Sequence, residues 1–306
     1  MSIWMKTIAA INVFLNAVGH ILFGNRGNNL ALRFFRSTLV GETVSFQHKM
    51  CPYTYTSRVS GDLRELYTYL RKEMTLEPWV NVAQSFIAKG DTVFDVGAHV
   101  GRHTIHFSYL CGTSGVVYAF EPERDNYEVL SGNIALNEIS NCVILPLALS
   151  NKRSTATLHL NPNSNEGHSI IANGHAWSGG QHEHRKVRCE TLDTVCSANN
   201  IERIRLVKID VEGAHFLVLQ GATRMLSNRR IDVVICEAGS NTQQISGRTD
   251  QDLLTFMGES GYSPFICVGD EFVDVDPVQA YPRLVDFIFL KGEDVFSLRR
   301  KELCVN

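Results

Sequence analysis

Val93-Phe94-Asp95-Val96-Gly97-Ala98-His99-Val100-Gly101 is a short apolar run that passes directly into a glycine-punctuated turn. At a strand-to-helix junction, glycines allow a tight bend and let a ligand approach where a Cβ would block it. Downstream, Gly115-Val116-Val117-Tyr118-Ala119-Phe120-Glu121 reads as a second buried strand ending in an acid. That acid falls about twenty residues after the turn, where a carboxylate can accept hydrogen bonds from both hydroxyls of a ribose. The pair predicts a nucleoside-type ligand lying across the carboxyl ends of a parallel sheet.

The glycine pattern narrows the ligand. A dinucleotide fingerprint has three glycines, G-x-G-x-x-G, so that a helix start can meet a pyrophosphate. Here only Gly97 and Gly101 are present, with Ala98, His99 and Val100 between them. Asp95 beside the turn would repel a pyrophosphate but suits the ammonium of an amino-acid moiety. A ligand with a ribose and an α-amino acid but no phosphate is S-adenosylmethionine. The missing third glycine disfavours a dehydrogenase.

Composition fits a globular enzyme: 306 residues, 44% hydrophobic and 20% charged. A net charge of −3 with dispersed Lys and Arg gives no footprint for nucleic acid. The eight cysteines form no C-x-x-C pair. Cys142 and Cys236 lie in apolar runs, so buried free thiols in a reducing, cytoplasmic setting are expected. Ile8 to Phe23 is mostly apolar, with Asn12, Asn16 and His20 forming one polar helical stripe. It is short for a membrane span. Two readings stay open: a helix packed on the protein or a partner, or one that lies on a membrane surface.

Strand and helix signals alternate from residue 91 onward. Strands are expected at 92–97, 116–121, 142–147, 205–210 and 231–237, with helices at 101–111, 124–136 and 213–227. Such alternation implies right-handed crossovers and a doubly wound, mostly parallel α/β sheet. A helix at 250–260 and strands at 263–268 and 284–291 would finish the sheet as an antiparallel hairpin. Before the domain, strands at 43–48 and 53–59 suggest a small capping hairpin, followed by helices at 61–71 and 77–88. The expected divisions are an N-terminal helix and cap region (1–76), the ligand-binding domain (77–292) and a C-terminal tail (293–306). Residues 148–204 contain a polar insertion, in which Asn161 to Gln181 reads as a lid or binding loop.

Leu206-Val207-Lys208-Ile209-Asp210-Val211-Glu212-Gly213 is the second unusual stretch, an apolar strand holding a lysine and closing in two acids. With it the chain resembles the FkbM family of S-adenosylmethionine-dependent methyltransferases. The matching pieces are 94–101, Phe120-Glu121-Pro122 with Asn126-Tyr127, Thr191-Leu192-Asp193, and 208–213. The resemblance implies a class I, Rossmann-like methyltransferase fold. It places Asp95, Gly97, Ala98, His99 and Gly101 at the methionine end of the cofactor, Glu121 and Pro122 at the ribose, and Ala148 near the adenine. It also implies O-methylation of a hydroxyl on a glycan, lipid or other small molecule. Two positions depart from the pattern: His99 stands where an asparagine is usual, and His215 where an acid is usual.

Methyl transfer to a hydroxyl needs positioning and a proton acceptor. Asp210 is the first candidate base, although it can equally pair with Lys208. Glu212 is expected to hold substrate or cap the following helix. His168, within the lid, is the third catalytic candidate. Asp210 and Glu237 could share a divalent cation, but two carboxylates make an incomplete site, so no metal is assigned. N-methylation and a non-catalytic cofactor-fold binder are the competing readings; the former lacks an Asn/Asp-Pro-Pro-aromatic signature.

Overall fold

The computed structural model describes residues 43–47, 51–58, 78–161, 166–171, 183–239, 243, 245–268, 271–276, 281 and 285–292. The expected helices at 8–23 and 61–71, most of the lid and the tail lie outside these residues. Thirteen strands are described. They are β1 (Thr43–Gln47), β2 (Thr54–Arg58), β3 (Thr92–Val96), β4 (Val116–Phe120), β5 (Cys142–Leu145), β6 (Ala148–Leu149), β7 (Ser154–His159), β8 (His184–Glu190), β9 (Ile204–Ile209), β10 (Ile231–Ala238), β11 (Tyr262–Val268), β12 (Glu271–Asp274) and β13 (Val285–Lys291). The helices taken up here are α1 (Pro78–Phe86), α2 (Arg102–Cys111), α3 (Arg124–Leu136), α4 (Leu192–Ala198), α5 (His215–Gln220), α6 (Thr223–Ser227) and α7 (Asp250–Glu259).

Eight strands form the main sheet in the order β12-β11-β13-β10-β9-β3-β4-β5. The stretch from β10 to β5 is parallel, and β13, β11 and β12 complete it antiparallel. Alternation along each strand sends side chains to two apolar layers. Phe94, Val96, Val207 and Ile209 meet Leu219, Met225 and Leu253 on the α4–α7 face. Val93, Leu206, Val233 and Ile288 meet Ala83 and Phe107 on the α1–α2 face. Because β3 lies between β4 and β9, the chain leaves it toward one side and later returns on the other. A crevice opens at that switch, outside the carboxyl ends of the strands.

The β1–β2 pair is an antiparallel hairpin, as its spacing suggests. It docks on α3: Asn133 Oδ1 accepts from the Thr56 amide at 2.8 Å, and Asn137 Oδ1 from the Thr54 amide at 2.8 Å. No disulfide joins the seven described cysteines to one another. Burial pushes the thiols of Cys111, Cys142 and Cys196 up to about 12.

Two sequence expectations need correction. The polar insertion holds a second sheet, ordered β6-β8-β7, in which β7 and β8 run antiparallel from Ser154↔Cys189 to His159↔His184. The expected helix at 213–227 is two short ones, parted at Gly221. A Cβ there would lie 2.0 Å from the Ser150 carbonyl oxygen, so the backbones meet where a continuous helix would carry side chains.

Candidate cofactor and acceptor site

The turn after β3 is built from backbone bonds. The amides of Gly97 and Ala98 both donate to the Phe120 carbonyl at 3.0 Å, tying the turn to the end of β4. Gly97, His99 and Gly101 take φ values of 86°, 52° and 90°. The left-handed region suits Asn, Asp and His better than other side-chain-bearing residues. Histidine at 99 therefore satisfies the backbone demand that an asparagine would meet. Gly97 is required by packing inside the protein: a Cβ would sit 1.8 Å from the Asp210 carbonyl oxygen. The ends of β3 and β9 thus touch backbone to backbone, and the space expected for a ligand at that atom is filled by Asp210. Gly101 similarly faces Leu130 Cδ1, at 2.4 Å from a built Cβ.

Glu121 follows β4 and is buried. Its Oε2 accepts from the His99 amide and its Oε1 from the Glu123 amide, each at 2.8 Å. Pro122 has no amide hydrogen, so Glu123 is the first downstream donor. Burial is the main reason its pKa rises to about 8; the two amides oppose the shift. Each oxygen keeps lone-pair capacity for a vicinal diol. Arg185 of β8 pairs with Glu123 and Asp125, fastening the second sheet to the start of α3.

Asp95 is fully buried on the face shared with α2. Thr104 Oγ1 donates to its Oδ2 at 2.6 Å, whereas its Oδ1 is buried with no hydrogen-bond partner. Desolvation raises the Asp95 pKa, and Lys208 counters it. A buried acceptor short of a donor, and a carboxylate pre-aimed by two amides, fit the ammonium and the ribose of S-adenosylmethionine. Ala148 opens β6 beside Cys189 of β8, just past the end of β5.

Beyond this crevice the sheet carries a row of charge on one face. Asp95 is the register partner of Lys208, Lys208 of Ile235, and Glu237 of Asp286. Lys208 Nζ lies 2.6 Å from Asp210 Oδ2 and is buried. The carboxylates of Asp210 and Asp95 hold its pKa above the usual lysine value against the effect of burial. Asp210, Glu212 and Glu237 bring one oxygen each within 4.8 Å of one another. Sequence reasoning paired Asp210 with Glu237 and did not anticipate Glu212 joining them, nor Asp286 beside Glu237. The Lys208 ammonium stands beside this cluster, paired with Asp210.

The remaining candidates separate. Glu212 takes φ 48° and does not cap the next helix, since α5 starts after Ala214 with no side-chain cap. This corrects its capping role. The Glu212 carbonyl instead accepts from Ser169 Oγ at 2.8 Å, which brings part of the lid onto the acid loop. His168 Nδ1 accepts from the Asn161 amide at 3.0 Å. In the neutral ring that bond puts the hydrogen on Nε2, making the outer nitrogen a donor. His215 is buried at the start of α5, and burial lowers its pKa to about 4. It is a neutral side chain where the family pattern has an acid.

The family described as "Methyltransferase FkbM domain" matches residues 95–264, more than half of the chain. The chain is similar to the hexuronic acid methyltransferase AglP of Haloferax volcanii, 24% identical over 159 residues. That match covers 51% of this chain and 60% of the relative, so the chain spans less than two thirds of it. Among solved structures it is similar to a SAM-dependent methyltransferase from Aquifex aeolicus, with a TM-score of 0.41 and 11% identity over 74% of this chain and 96% of that one. It is also similar to Aeropyrum pernix fibrillarin with natively bound S-adenosyl-L-methionine, with a TM-score of 0.39 and 10% identity over 67% and 68% of the two chains. The match over residues 95–264 places the chain in the FkbM methyltransferase family, whose cofactor is S-adenosylmethionine.

Proposed function

We propose that the chain methylates a hydroxyl oxygen, with a saccharide as the leading acceptor class. The observation that carries this reading is the half-buried carboxylate cluster packed against the cofactor turn, with Asp210 touching Gly97. A hydroxyl is a poor nucleophile until its proton leaves, and a carboxylate in reach provides the acceptor. An ionised acceptor carboxylate would need no base and would be repelled by these acids. Bound in the crevice, S-adenosylmethionine supplies a methyl group on a sulfonium. Asp95 would hold its ammonium, Glu121 and Pro122 its ribose, and Ala148 its adenine, with Gly97, Ala98, His99 and Gly101 shaping the turn beneath. Asp210 and Glu212 line the acceptor side, and His168 donates to the acceptor from the lid. The saccharide preference is supported by the printed activity of the archaeal relative, a hexuronic acid methyltransferase.

The test is release of S-adenosylhomocysteine from the full chain offered hexuronate-containing oligosaccharides, neutral oligosaccharides and hydroxylated lipids. The expected product is a methyl ether that survives mild alkali. A product that alkali saponifies would be a methyl ester and would refute hydroxyl transfer. Methylated nitrogen would refute oxygen transfer altogether.

A further inference from the structure

Three carboxylates converge on the acceptor side, and their surroundings differ. One oxygen of Asp210 lies 2.6 Å from a buried ammonium. Protonating Asp210 would take from the buried Lys208 ammonium its nearest counter-charge, which is costly. Glu212 is fixed through its backbone by the Ser169 hydroxyl. Glu237 closes β10, two residues beyond Ile235 and therefore on the face that carries Lys208. Among the described residues its carboxylate has no hydrogen bond and no ion pair. Asp286 of β13 is its register partner, and Asp210 and Glu212 stand on its other side.

We infer that Glu237 is the carboxylate that takes the proton of the acceptor hydroxyl, while Asp210 stays the fixed anion of an ion pair with Lys208. This rests on the methyl-transfer reading above. The acceptor oxygen forms its bond to the methyl carbon as the carbon–sulfur bond breaks, and that bonding pair returns to sulfur. The hydroxyl proton passes to Glu237, so charge and atoms balance. The groups facing Glu237 are Asp210 and Glu212 from the β9 end, Asp286 from β13 and, farther off, Lys208. Desolvation and the three acids raise its pKa well above the ordinary glutamate value, and Lys208 opposes them. Burial and these acids therefore favour the protonated form of Glu237 in the free protein. Positive charge added to the crevice favours its departure, which couples the readiness of the base to cofactor binding.

Proton exchange can be measured without knowing the acceptor. Calorimetry of the full chain with S-adenosylmethionine and with S-adenosylhomocysteine, near pH 6 in buffers of different ionisation enthalpy, counts the protons released by each. The two ligands share the ribose and the ammonium, so any release at Glu121 or Asp95 cancels in the difference. The sulfonium ligand is expected to release close to one proton more. Glu237→Gln should abolish that difference. On an acceptor found by the saccharide panel, Glu237→Gln should lower turnover by about 10²-fold or more, the usual contribution of a positioned base.

No difference between the ligands in the wild-type chain, or a difference that persists in Glu237→Gln, would overturn the assignment. The wild-type measurement decides even where the glutamine variant does not fold. Glu237→Asp serves as a second variant, expected to keep the extra proton while losing turnover. Failure of S-adenosylmethionine to bind at all would instead strike the methyl-transfer reading, so the two failures are distinguishable.

Discussion

Gly97→Ala tests how the site is assembled. A Cβ at this position would lie 1.8 Å from the Asp210 carbonyl oxygen, and real Cβ atoms essentially never come closer than 3.0 Å to a neighbour. The end of β9 would therefore have to retreat by at least 1.2 Å, the difference of these two distances. The Asp210 amide donates to the Val96 carbonyl at 3.0 Å, and a retreat of that size breaks the bond. Its net loss is about 1 kcal/mol. Alanine at φ 86° adds roughly 1–2 kcal/mol of backbone strain. The expected destabilisation is thus about 2–3 kcal/mol, read as a shift of the urea midpoint at constant slope. Cofactor affinity should fall with it, by about tenfold or more in calorimetry, because the turn bearing Ala98 and His99 moves too. Gly132→Ala is the control. It lies exposed within α3 with nothing within 4 Å of its built Cβ, and should stabilise by up to about 1 kcal/mol. A Gly97→Ala protein as stable as wild type, with unchanged affinity, would show that β3 and β9 do not meet in this way.

At the other end of β10, Asp232 is fully buried and pairs with Arg203, Arg205 and Lys291. Asp232→Ala leaves buried positive charge uncompensated and should cost about 3–5 kcal/mol in chemical denaturation. Cofactor affinity of the folded fraction should be unchanged, since the residue sits at the amino ends of the strands; a selective loss of binding would contradict that separation. His215 gives a pH signature. Its folded pKa of about 4 lies below the unfolded value of 6.5, so the unfolded chain binds the extra proton between them. Its contribution to stability is present above pH 6.5 and is lost as pH falls toward 4, amounting to about 2 kcal/mol by pH 5. His215→Gln should flatten this part of the stability profile, and a variant profile that parallels wild type would remove His215 as its source.

The parts of this fold that were legible in the sequence are those whose signal is local. Val93 to Gly101 announces a buried strand and a left-handed turn within nine residues, and Glu121 follows one crossover later. The 124–136 helix runs over the expected residues, with Glu123 accepting from the Asn126 amide at its start. The second sheet was hidden because it buries little. Leu158, Leu160 and Val187 form a small satellite cluster, and β7 meets β8 only across the intervening lid. The break at Gly221 depends on Ser150, a residue in a different part of the chain, and no helical periodicity could reveal it.

The same distinction explains why Asp210 stood out as a base and Glu237 only as a candidate cation ligand. Asp210 shares a strand end with Lys208, so their pairing can be read from spacing alone. The basicity of Glu237 comes first from burial, then from Asp210 and Glu212, with a further contribution from Asp286, which reaches it only because β13 inserts antiparallel between β10 and β11. That insertion adds Asp286 to Asp95 and Asp210 around one buried ammonium, with Glu237 beside them. Such an excess of negative charge is relieved either by holding a proton or by admitting a cation. A sulfonium cofactor is a cation until the moment it gives up its methyl group. If Glu237 is the base, the electrostatics that bind the cofactor also favour loss of its proton, and the topology that adds Asp286 contributes to both.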